Sequence, residues 1–185
     1  RHFSSRIKGG HTNNKIRAST TPVHAISDDL DLLIAFDQET IEVNHHEMRE
    51  DSIIIADSKA KPEKPEDCRA QLIDLPFTAT AKELGTALMK NMVAIGATCS
   101  IMNIDTTVIE TLITNMFSKK GDKVVEMNIQ ALQEGYRLMQ EQQSTLIGDF
   151  ELTDTAEQPH LYMIGNDAIG LGALSAGSRF MAAYP

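Results

Sequence analysis

The sequence SIIIA at residues 52–56 decides the fold, because a continuous run of mostly β-branched residues suits a strand that is buried on both faces. A second continuous apolar run, LLIAF, occupies residues 32–36. Strands of this kind lie at the centre of a sheet that is covered by helices on each side. The two runs therefore predict an α/β domain with a three-layer α/β/α architecture.

Shorter patterns around these runs predict the remaining elements of the first part of the chain. Residues 15–20 alternate polar and apolar side chains, as a half-buried strand does, and residues 71–74 form a further short strand. The sequence DQET at residues 37–40 opens a short helix, and the charged, proline-containing residues 59–67 form a surface loop. We therefore expect a Rossmann-like domain with a central, mixed sheet.

The middle of the chain has helical periodicity. Residues 80–100 predict one long helix, with a common apolar face formed by Leu84, Leu88, Met92 and Ile95. Asp105 and Thr106 can cap a second helix that runs to about residue 117. A third helix carries a single core-facing stripe formed by Val125, Ile129, Leu132, Tyr136 and Met139.

The last part of the chain is organised differently. Residues 143–160 are polar and unpatterned, which predicts a linker. Residues 161–185 read as a short strand, an Ala/Gly/Leu-rich helix and a second short strand, which is a truncated βαβ unit. Because this helix is apolar almost all round, we expect it to be buried on both sides. The domains are then 1–142, the linker 143–160, and 161–185.

Composition excludes several classes of function. The chain has 185 residues and a net charge of −9, whereas general nucleic-acid binding requires a basic surface. It has no run of about 20 apolar residues, so we expect no membrane span. Its two cysteines, Cys68 and Cys99, are far apart, which favours a reduced, cytoplasmic setting. Two cysteines cannot ligate a four-cysteine iron–sulfur cluster.

The densest polar segment is SSRIKGGHTNN at residues 4–14. Adjacent glycines let the backbone pass close to a ligand, and the neighbouring lysine, hydroxyl and amide groups could hold a phosphate. The candidate residues for this site are Ser5, Lys8, Gly9, Gly10, His11 and Thr12. An ordinary glycine turn before the strand explains the same residues, and it is the interpretation favoured by sequence physics alone.

Other patterns point to structure rather than chemistry. Residues 165–172 are rich in glycine but lack the GxGxxG spacing of a nucleotide fingerprint. Adjacent His45 and His46 have no third ligand at helical spacing, so we expect no metal site. Asp37 and its acidic neighbours are most simply charges at a helix N-terminus. Taken alone, the chain predicts an α/β domain with no self-contained active site and no catalytic residues.

Four segments resemble one family, the 2-oxoacid:ferredoxin (or flavodoxin) oxidoreductases. The C-terminal segment, from Gly165-Asn166 to Tyr184-Pro185, is similar to the start of the α subunit's thiamine-pyrimidine domain. The turn at residues 8–10, the sequence NMVAIG at residues 91–96 and NIQA at residues 128–131 look like parts of the γ domain. Their order is that of a fused γ–α subunit, truncated at both ends relative to the family.

The resemblance implies a reaction and an assembly. A 2-oxoacid such as 2-oxoglutarate or pyruvate is decarboxylated on thiamine diphosphate, the acyl group passes to coenzyme A, and an iron–sulfur cluster sends electrons to ferredoxin. The γ domain is associated with coenzyme A and assembly, so the resemblance implies coenzyme A as the ligand of the candidate residues between Ser5 and Thr12. The ligands for Mg, thiamine diphosphate and the cluster belong to the β subunit. The fragment alone should then bind none of these cofactors and have no turnover.

A second interpretation stays open at this point. The chain could be a free-standing Rossmann-like protein that binds a ligand or a partner without catalysis. An N-terminus without its first strand would leave an open sheet edge, which favours a homodimer. The asparagines of the two helical motifs, Asn91 and Asn128, are expected to be buried and to hydrogen-bond loop backbone.

Overall fold

The computed structural model describes residues 12–19, 23–146, 150, 152 and 163–182. The chain divides into two compact units, Arg1–Thr153 and Asp154–Pro185. The first unit contains a sheet and most of the helices, and its described part holds the buried core.

Within the described residues, the sheet of the first unit has three strands in the order β1-β2-β3, which are Leu30–Ala35, Met48–Asp57 and Gln71–Leu75. The predicted runs thus form β1 and β2, and residues 71–74 form β3. Both pairs are parallel, with Ile34 opposite Ile55 and Ile55 opposite Ile73. We expected a mixed sheet, but the described strands are all parallel, as fits a central strand whose last six residues are buried.

Helices cover both faces of this sheet. Ile53 and Ile55 of β2 pack with residues of the helices that follow β3. Ile54 and Ala56 pack on the opposite face with Ile41 of helix α1, Gln38–Asn44. Because consecutive side chains of a strand point to opposite faces, the apolar run supplies both cores at once. The three-layer, Rossmann-like α/β fold is therefore confirmed.

The predicted strand at residues 15–20 does not form in its described part, residues 15–19. Alternation predicts a strand only where a neighbouring strand accepts the backbone hydrogen bonds, and residues 12–19 pair with none of the described strands. The side chain of Ile16 is 92% exposed, while the ammonium group of Lys15 contacts the carboxylate of Glu47.

Side-chain caps fix where two helices begin. Asp37 accepts a hydrogen bond from the Thr40 N–H at 2.8 Å and so opens α1, Gln38–Asn44. Asp105 accepts one from the Thr107 N–H at 2.9 Å and opens α4, Thr106–Phe117. Hydrogen bonds from Thr107 hold the pKa of the Asp105 carboxyl below its usual value. Both helix starts were predicted from these residues.

The long helix predicted at residues 80–100 is broken into α2, Phe77–Glu83, a 3₁₀ turn, Ala87–Met89, and α3, Lys90–Ile101. The break follows Gly85, whose φ of +140° is outside the helical region, and Thr86 then caps the turn. The predicted apolar face is half right: Leu84 and Met92 are partly buried against the core, whereas Leu88 is 83% exposed and Ile95 is exposed as well. The buried side of α3 consists of smaller residues: Val93, Ala94, Gly96, Ala97, Cys99, Ser100 and Ile101.

The small side of α3 packs against α5, Asp122–Gln140, at very short range. A Cβ placed on Gly96 would lie 1.9 Å from the Leu132 carbonyl oxygen, and one on Gly135 would lie 1.9 Å from the Val93 carbonyl oxygen. Of the stripe predicted for α5, Leu132 and Met139 are buried and the others are half-buried. The buried side of α5 is shifted toward Asn128, Ala131 and Gly135, because only small residues fit where the two backbones touch.

The described residues after α5 contact the rest of the first unit. Gln71 Nε2 donates to the Thr145 carbonyl oxygen at 2.7 Å, and the Leu152 N–H donates to the Met102 carbonyl oxygen at 2.9 Å. Leu146 and Phe150 pack against the core. The domain boundaries at 142 and 160 stay a prediction.

The second unit contains α6, Gly165–Ser175, which has no buried residue. The predicted burial of this helix on both sides is therefore not found in this chain. Described residues 163–164 and 176–182 form no strand, and residues 161–162 and 183–185 lie outside the described part. A strand needs a hydrogen-bonding neighbour, and the described part of the unit provides none.

Candidate functional site

A crevice lies where the three parallel strands end. β1, β2 and β3 end at Ala35, Asp57 and Leu75, and the residues that follow them meet around a cavity of about 320 Å³. The carboxyl ends of strands in an open α/β sheet are the usual place for a ligand. The cavity is lined by Phe36, Asp37, Gln38, Asp57, Lys59, Ala60, Thr78 and Lys90.

Asp57 is the most buried polar residue of the crevice, with 1% of its surface exposed. Its Oδ1 accepts hydrogen bonds from the backbone N–H groups of Thr78, at 3.1 Å, and Lys59, at 3.3 Å. Its Oδ2 accepts one from the Thr78 hydroxyl. Because a buried carboxylate needs such donors, Asp57 fixes the end of β2 to the start of α2 and sets the backbone at Lys59.

Two lysines bring positive charge to the crevice. The Nζ of Lys90, at the start of α3, lies 4.7 Å from the centroid of the Phe36 ring, which favours a cation. Phe36 is held in turn by Phe77, whose ring centroid lies 5.9 Å away. Among the described residues, neither Lys59 nor Lys90 has a carboxylate within 4.0 Å of its ammonium group. Neither ammonium group is therefore held by a direct ion pair within the described residues, although two carboxylates, Asp37 and Asp57, line the same crevice.

The other polar residues of the crevice serve the local structure. Besides the N–H of Thr40, Asp37 accepts the Thr40 hydroxyl at 2.6 Å, so its interpretation as a helix N-terminal charge is confirmed. Gln38 exchanges two hydrogen bonds of 3.0 Å with the backbone of Glu63. This contact fixes the loop after β2 beside the start of α1, and so closes one wall of the crevice.

The structure tests few of the predicted site residues. Ser5, Lys8, Gly9, Gly10 and His11 lie outside the described residues, as do Tyr184 and Pro185. Thr12 is exposed in the irregular segment 12–19. Gly165 and Asn166 are exposed at the start of α6. The coenzyme A role of the residues between Ser5 and Thr12 therefore stays a prediction.

The two motif asparagines differ from expectation. Asn91 is exposed, so the prediction of its burial is wrong. Asn128 is buried, but its Nδ2 donates to the Val124 carbonyl oxygen of the same helix at 2.7 Å rather than to a loop.

Metal-binding groups are not clustered in the described part of the chain, where no three His, Cys, Asp or Glu side chains come together. His45 instead lies 3.4 Å from Asp67. Cys68 and Cys99 are buried and not bonded to each other, and burial raises the pKa of the Cys99 thiol. No helix in the described residues has the length and apolar character needed to cross a membrane.

Sequence reasoning missed the crevice residues Lys59, Thr78 and Lys90. These residues are far apart in the chain and match no short motif. The position of a residue after a predicted strand would have indicated the site, because each of the three predicted strands ends just before residues that line the crevice. A list of polar residues after the three strands would have contained Asp57, Lys59 and Thr78, though not Lys90.

Comparison with known proteins agrees with this architecture. The family model described as pyruvate ferredoxin/flavodoxin oxidoreductase matches residues 1–138. A 2-oxoacid:ferredoxin oxidoreductase α subunit from Sulfolobus sp. is 22% identical over 226 aligned positions that cover 100% of this chain and 34% of that protein. The chain thus spans about a third of the length of the curated relatives it matches.

Solved structures of oxoacid:ferredoxin oxidoreductases are also similar to this chain. The 2-oxoglutarate:ferredoxin oxidoreductase from Magnetococcus marinus, with 2-oxoglutarate, coenzyme A and succinyl-CoA bound, has a TM-score of 0.74 and 28% identity, covering 86% of this chain and 28% of that one. The keto/oxoacid ferredoxin oxidoreductase γ subunit from Geobacter sulfurreducens has a TM-score of 0.52 and 25% identity, covering 62% and 68%. With a family match over most of its length, this chain belongs to the pyruvate ferredoxin/flavodoxin oxidoreductase family.

Proposed function

We propose that this chain is part of a 2-oxoacid:ferredoxin oxidoreductase that oxidatively decarboxylates a 2-oxoacid, transfers the acyl group to coenzyme A and passes electrons to ferredoxin. The observation that carries the proposal is the family match over residues 1–138. The likeness to the Magnetococcus marinus enzyme, which extends over 86% of this chain, supports it. A stand-alone Rossmann-like binding protein is not favoured by these relatives.

Within that enzyme, the chain supplies an assembly and coenzyme A-contacting domain. Residues 1–142 form the γ domain, residues 143–160 connect it, and residues 161–185 begin the pyrimidine domain. The coenzyme A candidates are the segment from Ser5 to Thr12 and the crevice with its two lysines. The similarity to the Geobacter sulfurreducens γ subunit, of which this chain covers 68%, supports the assignment of residues 1–142 as a γ domain.

The remaining cofactors do not match the donor set of this chain. Its two cysteines are too few for a four-cysteine cluster, and the described residues lack a group of three metal ligands. We expect thiamine diphosphate, Mg and the iron–sulfur cluster to belong to other parts of the complex, with the β subunit as the partner. When bound, they supply the decarboxylation and the electron transfer, while this chain binds and orients coenzyme A.

The complex is also expected to be cytoplasmic, which accords with two free, buried cysteines. The experiment is affinity purification of the chain from its native cells, followed by an assay of the recovered complex. We expect reduction of methyl viologen that requires both a 2-oxoacid and coenzyme A, and pyruvate and 2-oxoglutarate should be assayed separately.

The isolated chain is the control for this assay. We expect no viologen reduction by the chain alone, because its residues hold neither the thiamine diphosphate site nor the cluster. Turnover by the isolated chain would contradict the proposal that thiamine diphosphate and the cluster are bound by other parts of the complex. A recovered complex without 2-oxoacid-dependent and coenzyme A-dependent reduction would contradict the proposed function itself.

A further inference from the structure

Helix α4 has an outer face without charged side chains. Its large exposed residues are Val108, Leu112 and Met116, with 59%, 51% and 72% of their surfaces exposed. Residues four apart lie on the same side of a helix, so the three form one apolar stripe. The one charged side chain within the helix is Glu110, which is half-buried and accepts a hydrogen bond from Gln133 Nε2 of α5 at 3.1 Å.

The threonines beside this stripe can be covered without losing hydrogen bonds. The Thr111 hydroxyl donates to the Thr107 carbonyl oxygen at 2.9 Å, and the Thr114 hydroxyl donates to the Glu110 carbonyl oxygen at 2.8 Å. Both hydroxyl groups are therefore satisfied within the helix. A solvent-facing helix side normally carries charges, as α5 does at Arg137. The outer face of α4 instead has the composition of the centre of a protein interface, which is depleted of charge.

Charges of opposite sign stand at the two ends of the stripe. The order Asp105, Val108, Leu112, Met116 and Lys119 has spacings of 3, 4, 4 and 3 residues, and is therefore symmetric about Leu112. At 3.6 residues per turn, Asp105 and the three apolar residues fall within about 80° of one side of the helix. Lys119 follows in the 3₁₀ turn Ser118–Lys120, which extends the helix.

A two-fold axis at Leu112 makes this face complementary to itself. In an antiparallel pair of α4 helices, Leu112 meets the same residue of a second copy, and Val108 meets Met116. Asp105 then meets Lys119 once at each end of the contact. Among the described residues, Lys119 has no carboxylate within 4.0 Å of its ammonium group, so its charge is not already paired. A two-fold contact requires a self-complementary surface of this kind.

We infer that the outer face of α4 binds a second copy of this chain through an antiparallel, two-fold pairing of the two α4 helices. The inference rests on α4 and its two ends and is independent of the proposed function. The contact also differs from the open sheet edge that the sequence alone suggested. The face measures about 21 Å by about 10 Å, which is smaller than a standard interface of about 800 Å² per partner, so we expect a dissociation constant of about 0.1 mM.

The first test is sedimentation equilibrium of the 185-residue chain at concentrations from about 10 µM to about 1 mM, at low salt. We expect a monomer that converts to a dimer over this range. Leu112→Gln should raise the dissociation constant about tenfold or more, because it places two amides at the centre of the contact. Leu88→Gln is the matched control, since Leu88 is 83% exposed in the 3₁₀ turn before α3, and it should dimerise like the unaltered chain. Circular dichroism checks that each variant is folded.

A charge reversal tests the ends of the contact. Lys119→Glu places a carboxylate against Asp105 of the second copy at both ends, and should raise the dissociation constant about tenfold at low salt. The effect should shrink as salt increases. Lys82→Glu, at an exposed position of α2, makes the same change in net charge and should leave the dimer unchanged.

Cysteine cross-linking tests the position of the axis. In Leu112→Cys the two new thiols meet where the copies are related by symmetry, so oxidation with diamide should give a disulfide-linked dimer. Gln130→Cys, at an exposed position of α5, should stay monomeric under the same conditions. The native cysteines, Cys68 and Cys99, are buried and should not contribute.

Several results would overturn the inference. They are a monomer at every concentration, a dimer that Leu112→Gln leaves unchanged, and a Leu112→Cys variant that cross-links no faster than Gln130→Cys. In the complex recovered from cells, a cross-link from Leu112→Cys to a different subunit would show that another protein, rather than a second copy, covers α4. The proposed function would stand in each of these cases, because it is tested separately by 2-oxoacid-dependent reduction of methyl viologen.

Discussion

Helices α3 and α6 have similar compositions and opposite environments. Both are apolar, and both contain glycine within the helix. Val93 and Ala97 of α3 are fully buried, and its Gly96 touches the backbone of α5. α6 has no buried residue, and a Cβ on its Gly170 or Gly172 would meet nothing within 4 Å. An apolar, small-residue helix thus predicts a capacity for close packing, while burial depends on whether a partner surface is present.

The largest expected difference between the two helical regions comes from removing a leucine side chain. Leu132 of α5 is fully buried beside Gly96, so Leu132→Ala should lower the free energy of unfolding by about 2–5 kcal/mol through lost burial and a cavity. Leu174 of α6 is 69% exposed, and Leu174→Ala should change it by less than about 0.5 kcal/mol. Urea unfolding followed by circular dichroism measures both, and equal losses would break the comparison.

Adding one methyl group tests the close approach of the backbones directly. In Gly135→Ala the new Cβ would lie 1.9 Å from the Val93 carbonyl oxygen, so α3 and α5 must separate. Such overpacking costs about 1–3 kcal/mol, and the better helix propensity of alanine offsets up to about 1 kcal/mol of it. We expect a net loss of stability in the same urea measurement. A stabilised variant would mean that the two helices do not touch at this point.

The same substitution in α6 should have the opposite sign. Gly172→Ala meets no neighbour, and replacing a mid-helix glycine by alanine favours the helix by about 1 kcal/mol. Gly177, just after α6, has a φ of +83°, so Gly177→Ala should weaken the end of the helix by about 1 kcal/mol. Amide hydrogen exchange within α6 measures both changes. Slower exchange in both variants would contradict the positive φ of Gly177 at the helix end, and faster exchange in both would contradict the open surroundings of Gly172.

The sheet could be predicted because its signal is local and strong. Continuous β-branched runs are typical of buried strands, and the first residues of α1 and α4 follow from the caps Asp37 and Asp105. The prediction of one long helix at residues 80–100 was wrong, because Gly85, with its positive φ, breaks the helix despite favourable helix propensities on both sides. The buried face of α3 was missed because it is made of small residues, whereas pattern reasoning weights large apolar ones.

The crevice was harder to predict than the sheet. Lys59 and Lys90 meet only because β2, β3 and α2 bring them to one edge of the sheet, and no spacing in the sequence encodes that approach. The site predicted at residues 8–10, in contrast, rests on a short local motif of adjacent glycines. Position after a strand is a weaker but more general signal, since it depends on topology rather than on a motif.

The smallest predicted effect concerns surface charge, in which α5 and α6 also differ. On the outer side of α5, Arg137 Nε donates to Glu134 Oε2 at 3.0 Å, and this hydrogen bond holds the pKa of Glu134 below its ordinary value. α6 carries one ionisable side chain, Asp167. Acid should therefore weaken interactions on the surface of α5 and leave α6 almost unaffected.

The sign follows from the direction of the shift. A carboxyl group with a lowered pKa in the folded chain contributes stability above its unfolded pKa of about 4.3, and that contribution is lost as pH falls through the folded value. Glu134→Gln should thus lower the unfolding midpoint slightly at pH 7, and the difference should shrink progressively as the pH falls below about 4. Because the pair is at the surface, added salt should shrink the difference as well. Glu126→Gln, on an exposed part of the same helix without an ion pair among the described residues, is the control. A Glu134→Gln difference that persists unchanged in acid would show that Glu134 stabilises α5 through packing rather than through charge.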